Sequence, residues 1–166
     1  MKNLVLLIAI SLLALGTAQT ERAEWHSIEL SNALTGETYT LADFDGKTVF
    51  VEPMATWCSN CTKQLNNVSE AKMQFEDDVI FIALSVEGNL ADEKFAEYAE
   101  RRGWDFIYSV ATPELLQGLV DEFGRTVLSP PSTPHFIISP DGSVSELTTG
   151  IEPADLIAEQ ITAAQN

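Results

Sequence analysis

The sequence predicts an α/β domain in which a central sheet carries helices on both faces. Three features point there. From Thr48 onward, strand-like and helix-like segments alternate. Val79 to Val86 is a nearly continuous apolar run, the pattern of a strand buried on both sides of a parallel sheet. A hairpin signal at Pro140-Asp141-Gly142-Ser143 precedes a closing helical pattern. The 166 residues suit one domain, and no repeat, low-complexity tract or long linker divides them.

The elements follow in order. Met1-Lys2-Asn3 and the apolar stretch Leu4 to Leu15 read as a secretory leader, with small residues at Gly16-Thr17-Ala18 for cleavage. We therefore place a signal peptide at 1–18 and the folded domain at 19–166; an uncleaved membrane anchor is the alternative. A spanning helix needs about 20 apolar residues, and polar Gln19 to Glu24 arrive too early. Ile28-Glu29-Leu30 and Tyr39-Thr40-Leu41 flank a Thr35-Gly36-Glu37 turn and predict a small β lead-in. Thr48 to Glu52 is a strand entering the core, with a bulge or early end expected at Pro53, which has no N–H for a ladder. Cys61, Leu65, Val68, Ala71 and Phe75 recur at helical steps.

Asn89 is a candidate cap for a helix with Ala91, Phe95, Tyr98 and Ala99 inside and Gly103 at its end. Asp105 to Val110 is a further strand. Thr112-Pro113 is a cap and first-turn pair, opening a helix with Leu116, Leu119, Val120 and Phe123 inside. His135 to Ser139 and Ser143 to Thr148 are the hairpin strands. Pro153 opens the last helix, with Leu156, Ile157 and Ile161 inward.

The chemistry-bearing stretch is Trp57-Cys58-Ser59-Asn60-Cys61, which holds the only two cysteines. Disulfide exchange requires a thiolate, so a reactive cysteine needs its negative charge stabilised. A helix N-terminus offers unpaired N–H groups and the positive end of the dipole. Cys58 falls at that end, with Cys61 one turn further in, close enough to resolve a mixed disulfide. Competing readings are a structural disulfide, weakly stabilising across so short a loop; a zinc site, for which His26 and His135 do not supply the usual second pair; and an inert thiol pair.

The net charge of −16 argues against nucleic-acid binding, which depends on Lys and Arg neutralising phosphates. It also disfavours an anionic membrane surface, while a basic protein substrate is compatible with it. In an exported chain, a Cys-x-x-Cys pair must be kept reduced by a partner or act as an oxidant. Asn67-Val68-Ser69 has the form of a glycosylation sequon, but it falls inside a predicted helix, and we read it as chance.

Ala55-Thr56-Trp57-Cys58-Ser59-Asn60-Cys61, together with Thr133-Pro134-His135-Phe136-Ile137-Ile138-Ser139-Pro140-Asp141-Gly142 and Thr149-Gly150, resembles the thioredoxin superfamily, and within it the exported TlpA/ResA-like branch. The resemblance covers roughly residues 26 to 164. It implies a thioredoxin-like fold with a central mixed β-sheet, and thiol–disulfide oxidoreductase activity that reduces or exchanges protein disulfides, with Cys58 attacking and Cys61 resolving. It implies a cis proline opposite the disulfide, with Pro134 the best match and Pro130 and Pro131 its rivals. It implies a buried acid at Glu52, whose pKa burial would raise and which would take the Cys61 proton.

Trp57 and Thr133 are the expected substrate contacts. His135 is a candidate neighbour of the sulfurs, and His26 a surface residue. No cofactor or resident metal is implied. The expected partners are protein disulfide substrates and a membrane or extracytoplasmic redox protein that recycles the pair; the chain is expected to be monomeric and periplasmic or otherwise extracytoplasmic. Pro53-Met54, Gln64 and Ser59-Asn60 depart from better-known relatives, so redox poise cannot be carried over. The alternative from another class is copper binding or delivery, since soft thiolates favour Cu(I) and His135 is a possible third ligand. A peroxiredoxin-type peroxidase would need Pro-x-x-x-Thr-x-x-Cys, and Pro53 to Cys58 does not provide that spacing.

Overall fold

The computed structural model describes residues 23–165, so the leader assigned to 1–18 lies outside them. The lead-in is a short antiparallel pair, β1 (Leu30–Ser31) and β2 (Thr38–Tyr39), joined through a turn in which Gly36 takes φ +73°. Its anchor is polar: the Tyr39 hydroxyl donates to Ser109 Oγ (2.7 Å), which donates to the carbonyl of Ser31 (2.7 Å). Burial pushes the Tyr39 phenol up to about 12.

The main sheet comprises β3 (Thr48–Met54), β4 (Val79–Ser85), β5 (Ile107–Val110) and β6 (Phe136–Ile138), in the order β5-β4-β3-β6. β3 and β5 run parallel to β4, and β6 pairs antiparallel to β3. The helices are α1 (Ser59–Lys72), α2 (Asp92–Arg102), α3 (Pro113–Phe123) and α4 (Ala154–Ala164).

Strand alternation sorts the apolar side chains into two cores, because successive residues point to opposite faces. Phe50, Met54, Phe81, Ala83 and Ile137 meet Leu65 and Val68 of α1, Phe95 and Tyr98 of α2, and Ile157 and Ile161 of α4. Val49, Val51, Ile82, Leu84, Phe136 and Ile138 meet Leu115 and Leu119 of α3 together with Trp25, Leu30 and Leu41. The expected α/β architecture with both faces covered is what forms.

The differences from expectation are local. β3 does not stop before Pro53 but runs through it to Met54. The carbonyl of Met54 accepts from Val86 N, so the even positions of β3 bond toward β4 and the missing N–H of Pro53 faces the other side. On that side the β6 ladder ends at Val51, so no rung is lost. α2 begins at Asp92 behind Ala91, not behind Asn89, and Ala91 is exposed; acidic Asp92 and Glu93 complement the dipole instead of a side-chain cap. Thr112 caps α3 as expected, accepting from Leu115 N (3.2 Å) with Pro113 in the first turn. Leu115 takes the deep position expected of Leu116.

The second hairpin strand reduces to isolated bridges, His135 to Thr148 and Ile138 to Val144. On α4 the buried positions are Ile157, Ala158 and Ile161, while Leu156 is 39% exposed. A helical stripe centred on Ile157 and Ile161 leaves Leu156 on its flank.

Gly118 lies inside α3, where Ala would ordinarily be better by about 1 kcal/mol. Here an added Cβ would come within 2.6 Å of Trp25 Cβ. Gly118→Ala is therefore expected to destabilise by about 1–3 kcal/mol through overpacking, measured by urea unfolding. A gain in stability would contradict the close packing of Trp25 on α3.

Candidate active site

The end of β3 delivers the chain into a turn, where Cys58 N donates to the carbonyl of Ala55 (3.0 Å). Cys58 is the N-cap of α1: its backbone is extended (φ −84°, ψ 109°), and its Sγ accepts from Cys61 N at 3.1 Å. Sulfur here does what the oxygen of a Ser or Asp cap usually does, occupying one of the unpaired N–H groups of the first turn. A thiolate would accept the same bond more strongly, and the helix dipole adds to the effect. Cys58 and Cys61 are disulfide-bonded, with Cα atoms 5.3 Å apart.

The two sulfurs have different surroundings. Cys58 retains 3% exposure and Cys61 none. Cys61 Sγ lies 3.2 Å from the carbonyl oxygen of Pro130. Once the pair is reduced, that oxygen can accept a hydrogen from the Cys61 thiol but would repel a thiolate. The geometry thus favours charge on Cys58 and a proton on Cys61, which matches attacking and resolving roles. Asn60 Nδ2 donates to the carbonyl of Pro131 (3.0 Å), tying the first turn of α1 to the same loop.

Glu52 shares the face of β3 that carries Phe50 and Met54, the face covered by α1. It is fully buried, and neither carboxylate oxygen has a hydrogen-bond partner among the described residues. Desolvation raises its pKa well above the usual 4.5. Gln64, one turn beyond Cys61, is also buried; its Oε1 accepts from Glu152 N (2.8 Å), and its Nε2 has no partner among the described residues.

Trp57 stands beside the disulfide at 66% exposure. Thr133 and Pro134 are buried, so the Thr133 side chain is not a surface available to a substrate. No peptide bond among the described residues is cis, so the expected cis bond at Pro134 is absent, as it is at Pro130 and Pro131. The chain turns there by another route. Pro130–Ser132 forms a 3-10 turn, Thr133 N donates to the carbonyl of Pro130 (2.8 Å), and Thr133 takes a left-handed backbone, φ 46°.

His135 is buried, stacked on Phe50 with centroids 5.4 Å apart. Its Nδ1 meets the carbonyl of Thr133 (3.2 Å) and its Nε2 meets Glu152 Oε2 (3.0 Å). Both ring nitrogens are therefore occupied by protein. Among the described residues no group of three or more His, Cys, Asp or Glu is arranged to hold a metal. His26 is buried against Trp25 and not on the surface as expected. Asn67 of the sequon is half-buried and donates to the carbonyl of Glu152 (2.7 Å). The sequence does not mark Pro130 as a carbonyl acceptor, Glu152 as a hub or Glu87 as a partner of Thr56. All three reach the site from loops distant in sequence, without a motif to mark them.

A family model described as Redoxin matches residues 20–164. Among curated proteins, the thioredoxin-like protein YneN of Bacillus subtilis (strain 168) is 24% identical over 117 residues, covering 70% of this chain. The chain spans 65% of that relative's length. Among solved structures, a thioredoxin-family thiol:disulfide interchange protein of Chlorobium tepidum TLS superposes with a TM-score of 0.68 at 20% identity, covering 84% of this chain and 93% of that one. A secreted disulfide oxidoreductase of Mycobacterium tuberculosis superposes with a TM-score of 0.62 at 13% identity, covering 84% and 98%. These structures share the fold expected from the sequence.

Above pH 4.5 the folded protein keeps a proton on Glu52 that the unfolded chain has released. Stability then falls as pH rises, by at most about 1.4 kcal/mol per unit from this group. Glu52→Gln, a mimic of the neutral acid, should gain on the wild type as pH rises from about 5 through neutrality in urea unfolding. A constant difference across that range would show that Glu52 is not held protonated by burial.

Proposed function

The chain belongs to the Redoxin family, and from that membership we propose that it is an extracytoplasmic thiol–disulfide oxidoreductase acting on protein disulfides. The observation that carries the reading is the unequal treatment of the two sulfurs: Cys58 Sγ caps α1 and accepts from Cys61 N, while buried Cys61 Sγ faces the Pro130 carbonyl.

The Cys58 thiolate attacks one sulfur of a substrate disulfide, the S–S bond breaks, and the displaced substrate thiolate leaves with the electron pair. Glu52, in its minor ionised form, takes the proton of the Cys61 thiol, and the Cys61 thiolate attacks Cys58 Sγ. The mixed disulfide breaks, the second substrate thiolate is released, and the Cys58–Cys61 disulfide remains. Two electrons from an external dithiol protein restore the reduced pair. The direction proposed is net reduction of substrates. The leader-like N-terminus supports an exported location, and exposed Trp57 supports substrate contact beside Cys58.

Incubation of Cys61→Ser with a disulfide-linked peptide should accumulate a covalent adduct at Cys58, seen by mass. Cys58→Ser should form none and lose all turnover. An adduct on Cys61 in the Cys58→Ser protein, or none in either, would contradict the assigned roles. Titrated against a dithiol buffer, the wild-type pair should poise near about −270 mV, as reductants do; a value near about −120 mV would reverse the proposed direction.

A further inference from the structure

The turn that presents Trp57 and Cys58 is fixed from outside by a carboxylate that no motif marks. The parallel ladder of β3 and β4 ends at the pair Met54 and Ser85, and its last rung is Val86 N donating to the carbonyl of Met54 (3.0 Å). In a continuing ladder, the next donor on the β3 side, Thr56 N, would bond to the carbonyl of Val86. It bonds instead to Glu87 Oε2 at 2.7 Å, while Thr56 Oγ1 donates to Glu87 Oε1 at 3.2 Å. Both carboxylate oxygens are thus engaged by one residue, two positions before the nucleophile. The acceptor is itself held: Ser85 Oγ donates to Glu87 Oε2 (3.4 Å) and accepts from Glu87 N (3.2 Å), and Ser85 is fully buried. The side chain replaces a main-chain rung at the point where the chain must leave the sheet to form the Ala55–Cys58 turn.

We infer that Glu87 is a positioning residue of the redox site, clamping Thr56 so that Cys58 Sγ is delivered to the N-terminus of α1 beneath Cys61 N. Charge-assisted bonds of this kind are the stronger ones, and the N–H they satisfy would otherwise be left at the edge of a buried sheet. The inference rests on the proposed attacking role of Cys58. It concerns reach and geometry: the carboxylate touches no reacting atom.

Three substitutions separate reach from charge. Glu87→Gln keeps the length, with a carboxamide oxygen for Thr56 N and an amide group that can donate to Thr56 Oγ1, but loses the charge. Glu87→Asp keeps the charge and falls short of Thr56. Glu87→Ala loses both. The readouts are the rate constant for reaction of the reduced protein with a small aromatic disulfide, the equilibrium potential of the pair, and the thermal midpoint. Asp and Ala should slow the reaction about tenfold and shift the potential, while Gln stays within about threefold of the wild type and the thermal midpoints remain close together. If Ala does not fold, the Gln and Asp pair decides alone. Wild-type rates in all variants would overturn the inference. So would a wild-type rate in Asp with a slow Gln, which would make charge and not position the determinant. So too would rates that fall only in step with the thermal midpoint. An unreactive wild type would instead refute the proposed function and leave the clamp to be judged by potential alone.

Discussion

The bond from Cys61 N to Cys58 Sγ is the interaction on which the site depends. It exists only if Cys58 stands outside α1 as its cap while Cys61 stands one turn inside it, and that arrangement needs β3 to end and α1 to begin at fixed places. β3 is buried at every position, paired on both edges along Val49–Val51 and against β4 alone beyond that. α1 is held over it by Leu65, Val68 and Ala71, which pack with Phe50, Met54 and Ile137. The four residues between them have little freedom, so the sulfur is presented by the core and not by a mobile loop.

On the α1-covered face of β3 the chain tolerates a costly group. A fully buried carboxyl without a partner is unfavourable in its charged form and poorly satisfied in its neutral one. Glu52 occupies such a place between Phe50 and Met54, where an apolar side chain would suit the surrounding core better. Unsatisfied buried groups concentrate where function requires them. Its position on the α1-covered face supports the proposal that it takes the proton of Cys61. Gln64 and Glu152 close the same region from the α1 side, with Glu152 also holding His135 and, through Oε1, Gln160 (3.2 Å).

Periodicity in the sequence identified the sheet, the helices and the cysteine cap, because those are set by local pattern: the apolar run at Val79, the helical steps after Cys61, and Thr112-Pro113. What periodicity could not supply was the behaviour of backbone at junctions. Pro53 continues β3 because its missing N–H faces the side that β6 does not reach, a fact of pairing that no local window contains. The segment at Thr133-Pro134 reverses through a left-handed Thr133 with trans peptides, where the resemblance implied a cis bond. His135 spends both nitrogens on Thr133 and Glu152, partners that its place after Pro134 does not announce. The buried acid at Glu52 is what the resemblance implies, and the residue is fully buried; Glu87 carries no such mark, since its partner lies 31 residues away in the chain.

The inequality of the two sulfurs carries the proposed mechanism, and timed alkylation of the freshly reduced protein tests it most directly. With limiting iodoacetamide at neutral pH, followed by peptide mapping, Cys58 should be modified faster than the thiol of N-acetylcysteine, while Cys61 stays unmodified in the folded protein. Equal labelling of the two cysteines, or modification of Cys61 first, would contradict the claim that capping α1 makes Cys58 the nucleophile.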